Sequence, residues 1–391
     1  MSLEDKISKQ VRSIPRSGIR DFFELVLGRN DVISLGVGEP DYSTPWHIRE
    51  AAIYSLERGE TSYTSNLGLE KLRRSIAAYV KGHFEVDYDP AREILVTVGV
   101  SEALDLACRA LLNPGDELIY HEPCYVSYDP SVTLAYGVPV PVASSAEEGF
   151  VVKAKEIERK ITPRTRVLML NFPTNPTGSV MERSELENIA ELCIENDLIV
   201  ITDEIYSELI YEENYRHVSI ASLPGMRDRT ILLHGFSKAF AMTGFRLGYS
   251  CAPAEITEAM MKIHQYSMLC APITSQVAAM EALENGAAAV ASMRRDYKRR
   301  RDYIVREFND MGLPCHMPGG AFYVFPDIRS TGLSSRDFAS GLLESENVAA
   351  VPGDAFGASG EGFLRCCYAT DLELIKRALE GFRQFLASLK G

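Results

Sequence analysis

In the stretch GFSKAFAMTGFRLG, Gly235 to Gly248, a lysine and an arginine stand eight residues apart among small and apolar side chains. A lysine that directly follows a buried-strand pattern either snorkels its ammonium into water or is held as a reactive amine. Ser237 and Arg246 favour the second reading, because a hydroxyl and a guanidinium together suit a dianion such as phosphate. A second piece lies in TVGVSEALDL, where a glycine turn at Gly99 joins strand to helix. Such a turn aims backbone N–H groups and the positive helix end at one spot, although by itself it reads first as an ordinary tight turn. A third piece is Asp203, which closes the apolar run of LIVITDEIY. A carboxylate there is costly to bury unless it meets a cation or caps a helix. A Schiff-base lysine beside a phosphate site, with a carboxylate for a ring nitrogen, describes what a protein supplies to pyridoxal 5'-phosphate. Tyr206, three residues after Asp203, could reach that cofactor's phenolic oxygen.

These residues need a frame, and the middle of the chain alternates strand and helix. EILVTVG, ELIYHEP, RVLMLNFP, LIVITDEIY, TILLHGF and RLGYSCAP read as strands. SEALDLACRALL, with NPGD as its stop, and RSELENIAELCIEND, with Ser184 as a possible cap, read as helices between them. Continuous apolar strands separated by helices imply a largely parallel sheet covered on both faces, with ligands at the carboxyl ends of its strands. The turn at Gly99, Asp203 and Lys238 all follow such strands. After about residue 285 the texture changes to charged helices, a short strand region (GGAFYVFP) and a closing helix, which marks a smaller α+β domain. The division expected is a large domain over 45–285 and a small one formed by 1–44 with 286–391. The basic run Arg294 to Arg301 reads as a solvated helix face.

Composition narrows the classes. With 391 residues, 46% hydrophobic, the chain can bury more than one core. A net charge of -13, spread along the chain, argues against a nucleic-acid or anionic-membrane surface. The eight cysteines show no CxxC pair and fit a reducing cytoplasm. No uncharged run is long enough to span a membrane, and the N-terminal segment lacks the apolar centre of an export signal. No GxGxxG follows any strand, which weighs against a dehydrogenase.

SKAFAMTGFRLG resembles the lysine signature of the class I/II aminotransferases of PLP fold type I. GVGEPDYSTP, YTSNLGLEKLR, NFPTNPTG, TDEIYSEL and FLRCCYA resemble that family's other motifs, in the same order and across nearly the whole chain. The resemblance implies a mostly parallel seven-stranded sheet flanked by helices, a smaller α+β domain and a homodimer whose sites are completed across the two-fold interface. Carried over residue by residue, it implies that Lys238 forms the imine with pyridoxal 5'-phosphate and then moves the proton between substrate Cα and cofactor C4'. Asp203 would keep the pyridine nitrogen protonated, and Tyr206 and Asn175 would hydrogen-bond the cofactor's O3'. Tyr125 would stack on the ring, while Ser237, Arg246 and the backbone at Val100, Ser101 and Glu102 would hold the phosphate, joined by Tyr63 of the neighbouring subunit. Arg365 would clamp the substrate α-carboxylate as a bidentate fork, helped by Gly38 and Asn175, and Asn175-Pro176 is expected to be cis.

Aspartate aminotransferases of this subgroup usually carry a lysine two residues after the glycine of the phosphate turn, where this chain has Ser101. A hydroxyl cannot offset a buried carboxylate as an ammonium can, so a strict preference for aspartate is not expected. IHQYSMLCAP and GASGEGFLRCCYA resemble the bacterial branch of N-acetyl-diaminopimelate, aspartate and aromatic aminotransferases. The expectation is a cytoplasmic enzyme that exchanges an amino group between an L-amino acid and a 2-oxo acid, 2-oxoglutarate foremost, by a ping-pong mechanism. The alternatives are a carbon-sulfur lyase using the same lysine and carboxylate, and a non-catalytic PLP-binding regulator domain.

Overall fold

The computed structural model describes residues 2–16, 18, 19, 29, 31–212 and 215–390. Its centre is a seven-stranded sheet of β1 (Ile94–Thr97), β2 (Glu117–Glu122), β3 (Val138–Ala143), β4 (Thr165–Asn171), β5 (Ile199–Asp203), β6 (Thr230–Gly235) and β7 (Gly248–Cys251). The order across the sheet is β1-β7-β6-β5-β4-β2-β3, and β7 alone runs against its neighbours. Successive residues of the central strands point to opposite faces, yet both faces are buried, which is why these strands read as unbroken apolar runs. Leu118, Met169 and Ile201 pack on one side with α3 (Val100–Leu111), whereas Ile119, Leu168 and Val200 pack on the other with α4 (Arg183–Glu195). Nearer β1, Val96 and Tyr249 are covered by residues of α2 (Glu70–Phe84) and α6 (Ile273–Asn285). Ahead of α2, the exposed helix α1 (Trp46–Glu57) runs along the surface, and α5 (Ala254–Ser267) follows β7.

The long helix α7 (Ala287–Asp310) leads to a second, three-stranded antiparallel sheet, ordered β9-β10-β8, of β8 (Tyr323–Val324), β9 (Val351–Pro352) and β10 (Leu364–Cys367). The closing helix α8 (Leu372–Ser388) packs on this region through Ile375, Leu379 and Phe382, and Leu35 from the N-terminal part joins the same core. A parallel pairing of Ile33–Ser34 with Val348–Ala349 stitches that N-terminal part in place.

Three local expectations are corrected. β3 was not anticipated because VPVPVA carries two prolines; it is an edge strand bonded to β2 alone, where a missing N–H can face water. α4 begins at Arg183 with Glu182 at its N-cap, so Ser184 lies inside the first turn and caps nothing. The basic run is not wholly solvated, because helical periodicity turns Arg300 and Arg301 inward. Arg300 pairs with Asp41 at 2.8 Å and Asp296 at 2.7 Å, and Arg301 with Glu212 at 2.8 Å and the Pro318 carbonyl at 2.8 Å. Asp41 is remote in sequence, so no local pattern could announce it.

Candidate active site

Strand register levels one edge of the sheet, with Asn171 opposite Asp203 at the carboxyl ends of their strands and Gly235 opposite Gly248, the amino end of antiparallel β7. A cavity of about 650 Å³ opens there. Of the thirteen residues singled out in the sequence, eleven line it: Gly38, Val100, Ser101, Tyr125, Asn175, Asp203, Tyr206, Ser237, Lys238, Arg246 and Arg365. Glu102 and Tyr63 do not.

Asp203 is 6% exposed and, among the described residues, no lysine or arginine pairs with it. The Tyr128 hydroxyl donates to Oδ2 at 3.0 Å and the Ile205 N–H to Oδ1 at 3.3 Å. Burial nonetheless holds its carboxyl up at about 6. The chain after Asp203 runs into turns, so the helix-cap alternative lapses. Two buried pairs anchor those turns: Glu204 with His217 at 2.5 Å, and Glu208 with His234 at 3.0 Å. Burial opposes the ionised form of Glu208, yet His234 wins and holds that carboxyl down at about 2. The segment carrying Asp203 and Tyr206 is thereby fixed from behind.

Lys238 lies three residues past β6, and its Nζ donates to the Gly38 carbonyl at 2.8 Å. Burial pushes the amine down to about 8; Cys367 and Glu39 oppose the shift, and Arg365 and Arg246 add to it. The amine is therefore close to losing its proton near neutral pH, which a nucleophile or general base requires.

The opposite end of the cavity is shaped for an anion. Gly99 has φ +80°, and a Cβ there would sit 2.7 Å from Arg246 Nη2. A Cβ on Gly248 would sit 2.6 Å from the Val100 nitrogen, so both glycines are needed for close approach. Val100 and Ser101 open α3, and their N–H groups have no carbonyl one turn earlier to bind. Glu102 is turned away: its N–H meets the Gly99 carbonyl at 3.2 Å, and its carboxylate takes the Val98 N–H at 2.5 Å and His264 at 2.7 Å. Gly244 needs no special freedom, since nothing lies near it and the positive φ angles of this loop fall on Ala241 and Arg246.

Arg365 is 2% exposed on β10, between the rings of Tyr323 and Phe356 at 4.7 and 4.8 Å. Its Nη1 donates to Asn175 Oδ1 at 3.0 Å and its Nη2 to the Gly36 carbonyl at 2.6 Å, while its buried Nε has no partner among the described residues. Among the described residues no carboxylate forms an ion pair with it. The Asn175-Pro176 bond is cis, as are Glu122-Pro123 and Phe172-Pro173. Tyr206, whose hydroxyl burial pushes well above the usual range, bonds to the Tyr323 hydroxyl at 2.8 Å.

The family model described as "Aminotransferase class I and II" matches residues 30–382. The chain belongs to the class I and II aminotransferases. It is 52% identical to a putative aminotransferase, YugH, of Bacillus subtilis, with 97% of this chain and 98% of that protein covered. It is 44% identical to an aspartate aminotransferase of Pyrococcus abyssi, with 98% and 99% covered. A probable N-acetyl-LL-diaminopimelate aminotransferase of Bacillus subtilis is 41% identical, with 98% and 96% covered. Among solved structures, an aromatic aminotransferase from Pyrococcus horikoshii superposes with a TM-score of 0.91 at 45% identity, covering 95% of this chain and 99% of that one. The aminotransferase is thus an enzyme of fold type I that transfers amino groups between amino and oxo acids, and its family uses pyridoxal 5'-phosphate. These relatives do not favour the lyase or regulator alternatives. Among the described residues no helix of the aminotransferase is long and apolar enough to cross a membrane.

The sequence reading missed Tyr128, Asn171 and Tyr323, which also line the cavity. Asn171 Nδ2 donates to the Asp203 carbonyl at 2.8 Å, and its Oδ1 accepts the Asn175 N–H at 3.1 Å. Its place at the end of β4 was a usable signal, because a polar side chain closing an apolar strand needs partners. Tyr128 and Tyr323 sit in aromatic-rich stretches that read as core.

Proposed function

We propose that this aminotransferase binds pyridoxal 5'-phosphate covalently on Lys238 and passes the amino group of a long or aromatic L-amino acid, N-acetyl-diaminopimelate and aspartate being the other candidate donors, to a 2-oxo acid, with 2-oxoglutarate as acceptor. The observation that carries the reading is that three costly buried groups converge on one cavity, none of them in a direct ion pair among the described residues: the Asp203 carboxylate, the Lys238 amine and the Arg365 guanidinium. Each fits a different part of the cofactor and substrate pair.

When bound, the cofactor supplies an electrophilic carbon and a ring that takes up the electron pair released at the substrate Cα. Asp203 would hold a proton on the ring nitrogen, its own partners Tyr128 and Ile205 fixing the carboxylate. Arg246, Ser237 and the N–H groups of Val100 and Ser101 would take the phosphate. Tyr125 would cover one ring face. Arg365, held flat between two rings and tied to Asn175 and Gly36, would present its remaining N–H edge to the α-carboxylate. Lys238 Nζ would take the proton from Cα and return it at C4'.

The lining supports donors other than aspartate. Among the described residues of one chain its cations are Lys238, Arg246 and Arg365, each with a role, and Ser101 offers only a hydroxyl where a second carboxylate would need a cation. Ile19, Val37, Leu104 and Val126 supply apolar surface. Activity confined to aspartate and glutamate would sink this part.

We also propose a homodimer in which Tyr63 completes the partner's phosphate site. Tyr63 is 83% exposed; Asn66, three residues on, donates to the Leu269 carbonyl, and Met268 and Tyr266, at the end of α5 beside Leu269, are exposed as well. The domain division at 45–285 and 1–44 with 286–391 is proposed likewise, supported by the core that Leu35 shares with Phe308 and Phe382. The eight free cysteines support a reducing, cytoplasmic setting. Purified protein should absorb as lysine-bound cofactor, Lys238→Ala should lose that band, and a donor panel with 2-oxoglutarate should rank substrates; absence of cofactor would falsify the reading.

A further inference from the structure

Tyr323 lies on β8 opposite Cys367 of β10, two residues from Arg365. Its side chain meets three parts of the site at once. The ring faces the Arg365 guanidinium at 4.7 Å. The hydroxyl bonds to the Tyr206 hydroxyl at 2.8 Å. The same oxygen lies 2.5 Å from where a Cβ on Gly38 would be, and Gly38 is the residue whose carbonyl holds the Lys238 amine. Tyr323 thus joins the arginine to Tyr206.

We propose that Tyr323 is a positioning residue that couples the two ends of the substrate site: its ring keeps Arg365 in the plane of the α-carboxylate, and its hydroxyl donates to Tyr206. The inference rests on the proposed binding of pyridoxal 5'-phosphate. With Tyr323 donating, the Tyr206 hydrogen is free to point at the cofactor's O3', and a hydroxyl that accepts one hydrogen bond is a stronger donor of the next. A stronger donor favours the anionic form of that oxygen and lowers the proton affinity of the lysine-bound cofactor. The ring acts separately. A guanidinium sandwiched between Tyr323 and Phe356 loses rotational freedom before a carboxylate arrives, so less is lost when the pair forms. Glycine at position 38 fits the same picture, because any side chain there would push the Tyr323 hydroxyl off Tyr206.

The two functions separate in two variants of the holoenzyme. Tyr323→Phe keeps the ring and removes the hydroxyl; Tyr323→Leu removes both. The first readout is the midpoint of the pH titration of cofactor absorbance without substrate, and the second is the dissociation constant of 3-phenylpropanoate, a carboxylate with no amino group to react. In Tyr323→Phe the midpoint should rise by a few tenths of a pH unit, with 3-phenylpropanoate bound within about twofold of wild type. In Tyr323→Leu the midpoint should rise similarly and binding should weaken by about fivefold or more. A Tyr323→Phe midpoint within about 0.1 unit of wild type overturns the hydroxyl role. Unchanged binding by a cofactor-loaded Tyr323→Leu overturns the ring role, and if that variant does not fold, Tyr323→Met, which also removes the ring, is read by the same two outcomes. A wild-type protein that takes up no cofactor defeats the parent reading instead, so the two failures are told apart.

Discussion

Arg365→Lys is the substitution with the sharpest expected outcome. The guanidinium donates to Asn175 Oδ1 at 3.0 Å and the Gly36 carbonyl at 2.6 Å, and stacks between two rings, which leaves Nε and one edge for a carboxylate. Lysine offers a single point charge on a flexible stem. It can keep an ion pair with the carboxylate, or the bonds to Asn175 and Gly36, but it cannot hold the planar two-bond geometry. Charge-assisted hydrogen bonds contribute about 1.5–3 kcal/mol each. Losing one of two, with the plane no longer enforced, should remove about 2–3 kcal/mol of transition-state binding, or about 30- to 150-fold in kcat/KM. The assay compares an amino acid with the matching amine that lacks the α-carboxylate, in single-turnover conversion of the cofactor band. The amino acid should lose that factor while the slow reaction of the amine changes little. Equal losses on both compounds, or a loss under about threefold on the amino acid, would refute the carboxylate role.

Asp203→Asn should cut kcat by about 100- to 1,000-fold, the scale of losing one preorganised charge contact, because an amide cannot hold a proton on the ring nitrogen. Its cofactor-free form should melt no lower than wild type: burial raises the folded-state carboxyl to about 6, so ionisation weakens the fold as pH rises through that value. A matched fall in melting temperature and rate would point to a structural role instead. Gly99→Ala places a Cβ 2.7 Å from Arg246 Nη2 at φ +80°, and should weaken cofactor affinity about tenfold or more with the fold retained; unchanged affinity would remove the phosphate role of this turn. The Lys238 amine, lowered to about 8, is mostly neutral above that pH in the folded state while the unfolded chain still holds its proton. Stability of the cofactor-free protein should therefore gain from this group as pH rises from about 8 towards 10, and Lys238→Met should flatten that gain in pH-dependent melts.

What the sequence disclosed follows from what each residue costs to place. Lys238, Asp203 and Arg246 stand out because a charge beside an apolar strand must be explained by a partner, and no local partner exists. The strands that carry them are equally plain, since continuous apolar runs with helices between them admit few architectures. β3 escaped because its two prolines are tolerated only at an edge, and edge position is a property of the sheet, not of the segment. The burial of Arg300 escaped for a similar reason, its partner Asp41 lying in another part of the chain. Tyr128 and Tyr323 are a different case. A tyrosine in an aromatic stretch costs nothing to place in a core, so its type raises no question, and its contribution lies in where one hydroxyl ends up. For Tyr128 that is Asp203 Oδ2, and for Tyr323 it is the Tyr206 oxygen, both on a segment more than 70 residues away. The charged groups that would carry the chemistry were thus legible one by one. The neutral groups that hold them in register become visible only when β5, β8 and β10 converge on the same cavity.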